Sequence, residues 1–254
     1  MNWKHWVNLL DKISDVKNRG VIHEDSYYFG LSLPEYFLLN RAMHYTLPKH
    51  VMWVGGFSNL DFFISQEGVD TVKKCTNIDP TPASDWCARK HKQFAEEFGY
   101  KGEYIFMRER FDNQAIEDVE FMWMQGDLLS QVDLRKMTKL KTLVVDYYGH
   151  PWLIDSIKKT HSDLPRRIIT NNIAIYTRQP CTPLMKDIWQ FNKMANHKVC
   201  YRTSDNNLVD DITTHELEKD NFEMFITKKP LLSWEKRIEK VHNDKNKFAN
   251  NTDL

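Results

Sequence analysis

The sequence contains no run of 18 apolar residues, no C-x-x-C pair, no H-E-x-x-H and no G-x-x-x-x-G-K-[ST]. The first absence excludes a membrane-spanning helix, which needs about 20 consecutive apolar residues. The others exclude the zinc-helix and P-loop signatures, and no metal is expected. Cysteine is scarce. Cys75, Cys87, Cys181 and Cys200 are scattered, which fits reduced thiols in a cytoplasmic compartment better than a disulfide framework. An excess of either charge is missing as well: Lys plus Arg and Asp plus Glu are 35 each. That balance excludes a chain that coats nucleic acid or membrane over its whole surface and leaves a local basic patch open. The opening Met1-Asn2-Trp3-Lys4-His5-Trp6 has no apolar segment followed by a small-residue cleavage site, so no signal peptide is expected. No internal repeat or low-complexity linker interrupts the chain.

What is present is apolar and aromatic. Hydrophobic residues make up 41% of the 254, aromatics 13%, and there are 8 Trp, enough for a sizeable core. Trp3, Trp6, Val7, Leu10 and Ile13 fall at three- and four-residue steps, the stripe of an amphipathic helix. Ser32, Pro34 and Glu35 read as a capping box with proline in the first turn, opening a second helix that Pro48 stops. Short apolar runs then alternate with helical stripes. Strands are expected at 51–54, 72–78, 104–107, 119–124, 142–145, 167–175 (kinked at Asn171-Asn172), 197–202 and 222–227. Helices are expected at 59–70, 83–98 (closed by Gly99), 151–160 and 184–196. Such alternation predicts an α/β fold: a Rossmann-like, mostly parallel twisted sheet with helices on both faces and an antiparallel last strand. Residues 1–48 form a helical annex in this scheme, 49–230 the core, and 231–254 a terminal helix with a frayed tail.

In an open parallel sheet, ligands bind beyond the carboxyl ends of the strands. Here those ends carry Gly55-Gly56, Asp79-Pro80, Gly126-Asp127 and Asp146. Glycines let backbone approach a ligand closely, and a carboxylate after the second strand can accept from ribose hydroxyls. Each residue alone is an ordinary turn or cap residue; the ordered set carries more weight. Asp146-Tyr147-Tyr148-Gly149-His150-Pro151-Trp152 gathers an acid, a histidine and three aromatics, able to stack a planar acceptor and orient an amine.

The segments Val51-Met52-Trp53-Val54-Gly55-Gly56, Asn77-Ile78-Asp79-Pro80, Met124-Gln125-Gly126-Asp127 and Val144-Val145-Asp146-Tyr147-Tyr148 resemble, in order and spacing, the class I S-adenosylmethionine-dependent methyltransferases. The strands at 197–202 and 222–227 resemble that family's closing antiparallel pair. The resemblance covers roughly residues 50–230 and matches no named subfamily. It implies S-adenosylmethionine as cofactor, with Gly55, Gly56, Phe57 and Ser58 at the methionine side, Asp79 and Pro80 at the ribose, Gly126 and Asp127 at adenine, and Asp146 and Tyr147 facing the transferred methyl. The acceptor is open: a small molecule, nucleic acid or protein. If the strand at 104–107 is the true third strand, Arg108 or Glu109 takes the adenine side instead. The family's G-x-G-x-G is replaced by Gly55-Gly56-Phe57-Ser58-Asn59. This departure sustains the alternative of a non-catalytic scaffold, with Phe57 filling the cofactor space and Trp3 and Trp6 docking a partner or a second copy. No membrane partner is expected.

Overall fold

The protein is described here by a computed structural model. It describes residues 33–55, 69–80, 99–111, 117–126, 128, 133–146, 166–170, 173–178, 198–202, 208–209 and 222–227, with single positions at 89, 92, 96 and 186.

Helix α1 spans Leu33–Thr46. Leu38, Leu39, Ala42 and Met43 are fully buried, an apolar stripe at helical spacing. Its end is set as the sequence suggests. Leu47 turns to a φ of 44° and donates its N–H to the Met43 carbonyl at 2.9 Å. Pro48 cannot extend the helix. Later in the chain, Arg89, Lys92 and Glu96 are helical and exposed, as expected for one face of the helix at 83–98. Gly99, at φ 81°, closes it with a bond from its N–H to the Glu96 carbonyl. The positive φ explains why glycine stands there.

The strands are β1 (His50–Val54), β2 (Lys74–Ile78), β3 (Glu103–Met107), β4 (Phe121–Gln125), β5 (Thr142–Asp146), β6 (Arg166–Ile169), β7 (Ile173–Thr177), β8 (Lys198–Arg202), β9 (Leu208–Val209) and β10 (Phe222–Thr227). They form one sheet in the order β3-β2-β1-β4-β5-β7-β6-β10-β8-β9. The first five are mutually parallel. Strand order therefore reverses beside β1, with β2 on one side and β4 on the other, the switch point where α/β sheets open a crevice. The expected closing pair is present: β10 is antiparallel to β8, and its other neighbour, β6, is parallel to it.

Residues 167–175 fold otherwise than expected. They are not one kinked strand but a hairpin: β6 and β7 are antiparallel, and β7 also pairs antiparallel with β5. The reversal falls between Thr170 and Ile173, where the sequence has the polar pair Asn171-Asn172, and Thr170 locks it. The Thr170 backbone N–H donates to the Ile173 carbonyl at 3.0 Å, and the Thr170 hydroxyl accepts from the Ile173 N–H at 3.1 Å. The apolar pattern runs continuously across the reversal because both strands are buried, so only the polar pair marks the turn.

Both faces of the parallel region are covered. Met52, Val54, Met122, Met124, Leu143, Val145, Ala174 and Tyr176 belong to one apolar cluster. On the alternate positions, Val51, Trp53, Cys75, Phe121, Trp123, Val144 and Ile175 are buried as well. Burial on both faces is the condition under which a parallel sheet is stable, and it agrees with a core layered on both sides. Among the described residues, no helix is long and apolar enough to cross a membrane. The expected helices at 3–17, 151–160 and 184–196 fall wholly or almost wholly outside the described residues, as does most of 59–70. Val69 and Asp70 are not helical, and the chain turns at Asp70 and Thr71 on its way to β2.

Candidate active site at the carboxyl edge of the sheet

The pairing register brings the strand ends to one level. Val54 stands beside both Ile78 and Met124, Ile78 beside Met107, and Gln125 beside Asp146. One step further along the first four strands lie Gly55, Asp79, Arg108 and Gln125, so the row across the edge reads Arg108, Asp79, Gly55, Gln125, Asp146. Strands sit about 4.8 Å apart, which separates Asp79 from Asp146 by roughly 14 Å. The two carboxylates are too far apart to act as a dyad. A single ligand reaching both would have to be elongated.

Gly55 is where the chain leaves the sheet. Its N–H still belongs to the ladder, donating to the Ile78 carbonyl at 3.0 Å. Its φ of 75° then turns the backbone in a direction that side chains with a Cβ resist. Its carbonyl accepts a 2.6 Å hydrogen bond from the Trp53 indole Nε1. Asp79 is held by a bond from its own N–H to the Met107 carbonyl at 3.1 Å, and its side chain is only 2% exposed. Its strand is flanked on the outer side by β3. Asp146 is the last residue of β5 and is 7% exposed. Gly126, directly after β4, is buried, whereas Pro80 is exposed.

The two alternatives left open by the sequence for 104–107 are separated by the topology. Glu103–Met107 is the third strand, paired with β2 at the sheet's edge. The strand leading to Gly126-Asp127 is the fourth, on the far side of β1 from Asp79. Among the candidate residues, Gly55, Asp79, Pro80, Gly126 and Asp146 are thus gathered along one edge. Gly56, Phe57, Ser58, Asp127 and Tyr147 lie outside the described residues, as does the remainder of the aromatic segment to Trp152.

The sequence pattern did not single out the aromatic pair beneath the turn. Trp53 and Trp123 face each other across β1 and β4, with ring centroids 4.1 Å apart and planes tilted by 33°. Trp53 is 4% exposed and Trp123 1%. A tryptophan two residues before the exit glycine was the available signal; within a buried strand it read only as core. Among the described residues, no group of three or more His, Cys, Asp or Glu could hold a metal ion.

No protein-family model matches the chain, and no curated protein matches it. Solved structures align with it at low identity. An O-methyltransferase from Bacillus cereus in complex with SAH shares 9% identity, with 68% of this chain and 90% of that one covered, at a TM-score of 0.41. A methyltransferase from Geobacter sulfurreducens shares 12% identity over 68% of this chain and 90% of that one, at 0.43. An SAH-bound methyltransferase from Podospora anserina shares 10% over 69% and 86%, at 0.43. Likenesses of this size identify no family, and the function is argued below from the chain's own geometry.

Proposed function

We propose that the chain is an S-adenosylmethionine-dependent methyltransferase that binds its cofactor along the carboxyl edge of β1 to β5. The observation that carries this is the placement of Gly55, at positive φ, and buried Asp79 on adjacent strands at the switch point. A glycine turn beside a strand-end carboxylate is the arrangement that holds a ribose with its attached chain. The cofactor is linear: methionine, ribose, adenine. With methionine over Gly55 and ribose at Asp79, adenine continues outward to the end of β3, beside Arg108 and Glu109. The methionine side continues inward, over Gly126-Asp127 and toward Asp146. Asp127 therefore moves from the adenine side, where the spacing first put it, to the reacting side. When bound, the cofactor supplies an electrophilic methyl group on its sulfonium. The chain aligns the acceptor and excludes water, a role that needs little side-chain proton transfer. Asp146, with Tyr147 next to it in sequence, orients the acceptor.

Calorimetry with S-adenosylhomocysteine tests this. The wild type binds. Asp79→Asn, chosen over alanine because the site is buried, removes charge-assisted bonds of roughly 1.5–3 kcal/mol. Affinity falls about ten- to a hundredfold with little change in melting temperature. Absence of binding to the folded wild type overturns the proposal, and unchanged affinity in the variant removes Asp79 from the site.

A further inference from the structure

The exit turn has a brace. The Trp53 indole N–H reaches back to the Gly55 carbonyl at 2.6 Å, and the indole is itself clamped against Trp123. Trp123 leaves the Trp53 ring little freedom to turn. Both rings are almost fully buried, so the bond is shielded from competing water. Gly55 is thus held twice, by its N–H on Ile78 and by its carbonyl on Trp53.

A trans peptide unit is planar, with its C=O and N–H pointing in opposite directions. Fixing the Gly55 carbonyl toward the indole therefore fixes the plane in which the chain leaves β1. We propose that Trp53 is the positioning residue of the ligand-binding turn. Through this one bond it holds the Gly55 carbonyl, and with it the direction in which the chain turns off β1 beneath the cofactor. In this way a tryptophan in the strand restrains a turn whose sequence keeps only the first of the three expected glycine positions. The inference rests on the methyltransferase proposal for the identity of the ligand. The brace itself is a property of the protein alone.

Two substitutions remove the N–H and keep the ring. Trp53→Phe retains an aromatic face for Trp123. Replacement of Trp53 by 3-benzothienylalanine retains the full bicyclic shape with sulfur in place of N–H, and covers the case in which the smaller ring packs poorly. Each is read by amide hydrogen exchange of the 54–58 segment without ligand, and by titration with S-adenosylhomocysteine. The expected result is faster exchange of the Gly55 N–H, which is bonded to the Ile78 carbonyl in the braced turn, and about five- to tenfold weaker binding, the loss of one neutral hydrogen bond. The benzothienyl protein keeps the wild-type melting temperature. Unchanged exchange and unchanged affinity in that protein overturn the inference and leave the methyltransferase proposal standing. A wild type that fails to bind S-adenosylhomocysteine overturns both.

Discussion

The two edges of the parallel sheet differ, among the described residues, in what their polar side chains do. The amino edge is laced shut. Backbone bonds run across it from Lys73 to Lys49, Glu103 to Lys73, Glu120 to His50, Lys141 to Glu120 and Arg178 to Lys141. Side chains reinforce the belt. Glu120 accepts from the Lys49 N–H at 2.9 Å and from Lys141 Nζ at 3.0 Å, and Lys141 also reaches the Thr46 carbonyl at the end of α1. Arg178 donates to the Met137 and Leu140 carbonyls, and His50 shares a hydrogen bond with the Thr76 hydroxyl. The carboxyl edge has backbone bonds as well, from Gly55 to Ile78 and from Asp79 to Met107, and adds a glycine at positive φ and buried aspartates at strand ends. Among the described residues, charged side chains at the amino edge tie elements together, and under the proposed function the carboxylates of the carboxyl edge meet the cofactor and the acceptor.

Substitutions should respect that division. Lys141→Met keeps the apolar stem and removes the ammonium from a pair whose side chains are 28% and 16% exposed. Glu120 and the end of α1 both lose a charged partner, and stability falls by about 2 kcal/mol in a denaturant titration, with affinity for S-adenosylhomocysteine unchanged. Weaker binding in this variant would break the division.

Gly55→Ala is the test from the other side. A Cβ at φ 75° costs about 1–2 kcal/mol, so this carboxyl-edge change lowers stability as well as affinity. If stability falls and affinity does not, the turn is structural only.

A third test uses acid. Burial, reinforced by the nearby Lys74, holds the His50 imidazole below its ordinary value of 6.5. The unfolded chain therefore takes up the proton first. Stability is complete above about 6.5 and declines as pH falls through the depressed native value. Glu120 responds at lower pH. Its burial alone would raise its pKa, but the Lys49 N–H and the Lys141 ammonium outweigh that and hold it below 4.5. Its contribution is present above 4.5 and is lost as pH drops further. His50→Gln flattens only the upper part of the stability profile; an unchanged profile would show that His50 does not drive it.

The smallest effect belongs to the Asp118–Lys139 pair, which lies near the same edge but in solvent. Lys139→Ala leaves the melting temperature unchanged, because an exposed pair is screened. A measurable drop would extend the laced region to the surface.

Much of this fold was legible because it is written in short apolar runs. The strand at 51–54 and the turn at Gly55 follow from four buried residues and a glycine. The helix ending before Pro48 follows from the missing proline N–H. Residues 167–175 were misread because burial erases the alternation that would mark two strands. The site was legible as an order of strand-end residues, though not as a geometry. Nothing local distinguishes a third strand from a fourth; that depends on which neighbour each one finds. The Trp53 bond to Gly55 was invisible for a related reason: a tryptophan in a buried strand satisfies the core pattern whether or not its N–H has a task.

The strand order has a consequence for vectorial synthesis. β1 emerges first and is the centre of the parallel region. β2 and β3 add on one side of it, and β4 and β5 on the other. β7 then docks on β5 as half of a hairpin that already holds β6, and β10 joins β6 while carrying β8. None of the described strands has to be threaded between two partners that are already paired. The sheet can grow outward as the chain leaves the ribosome, and each open edge waits only for segments synthesised after it.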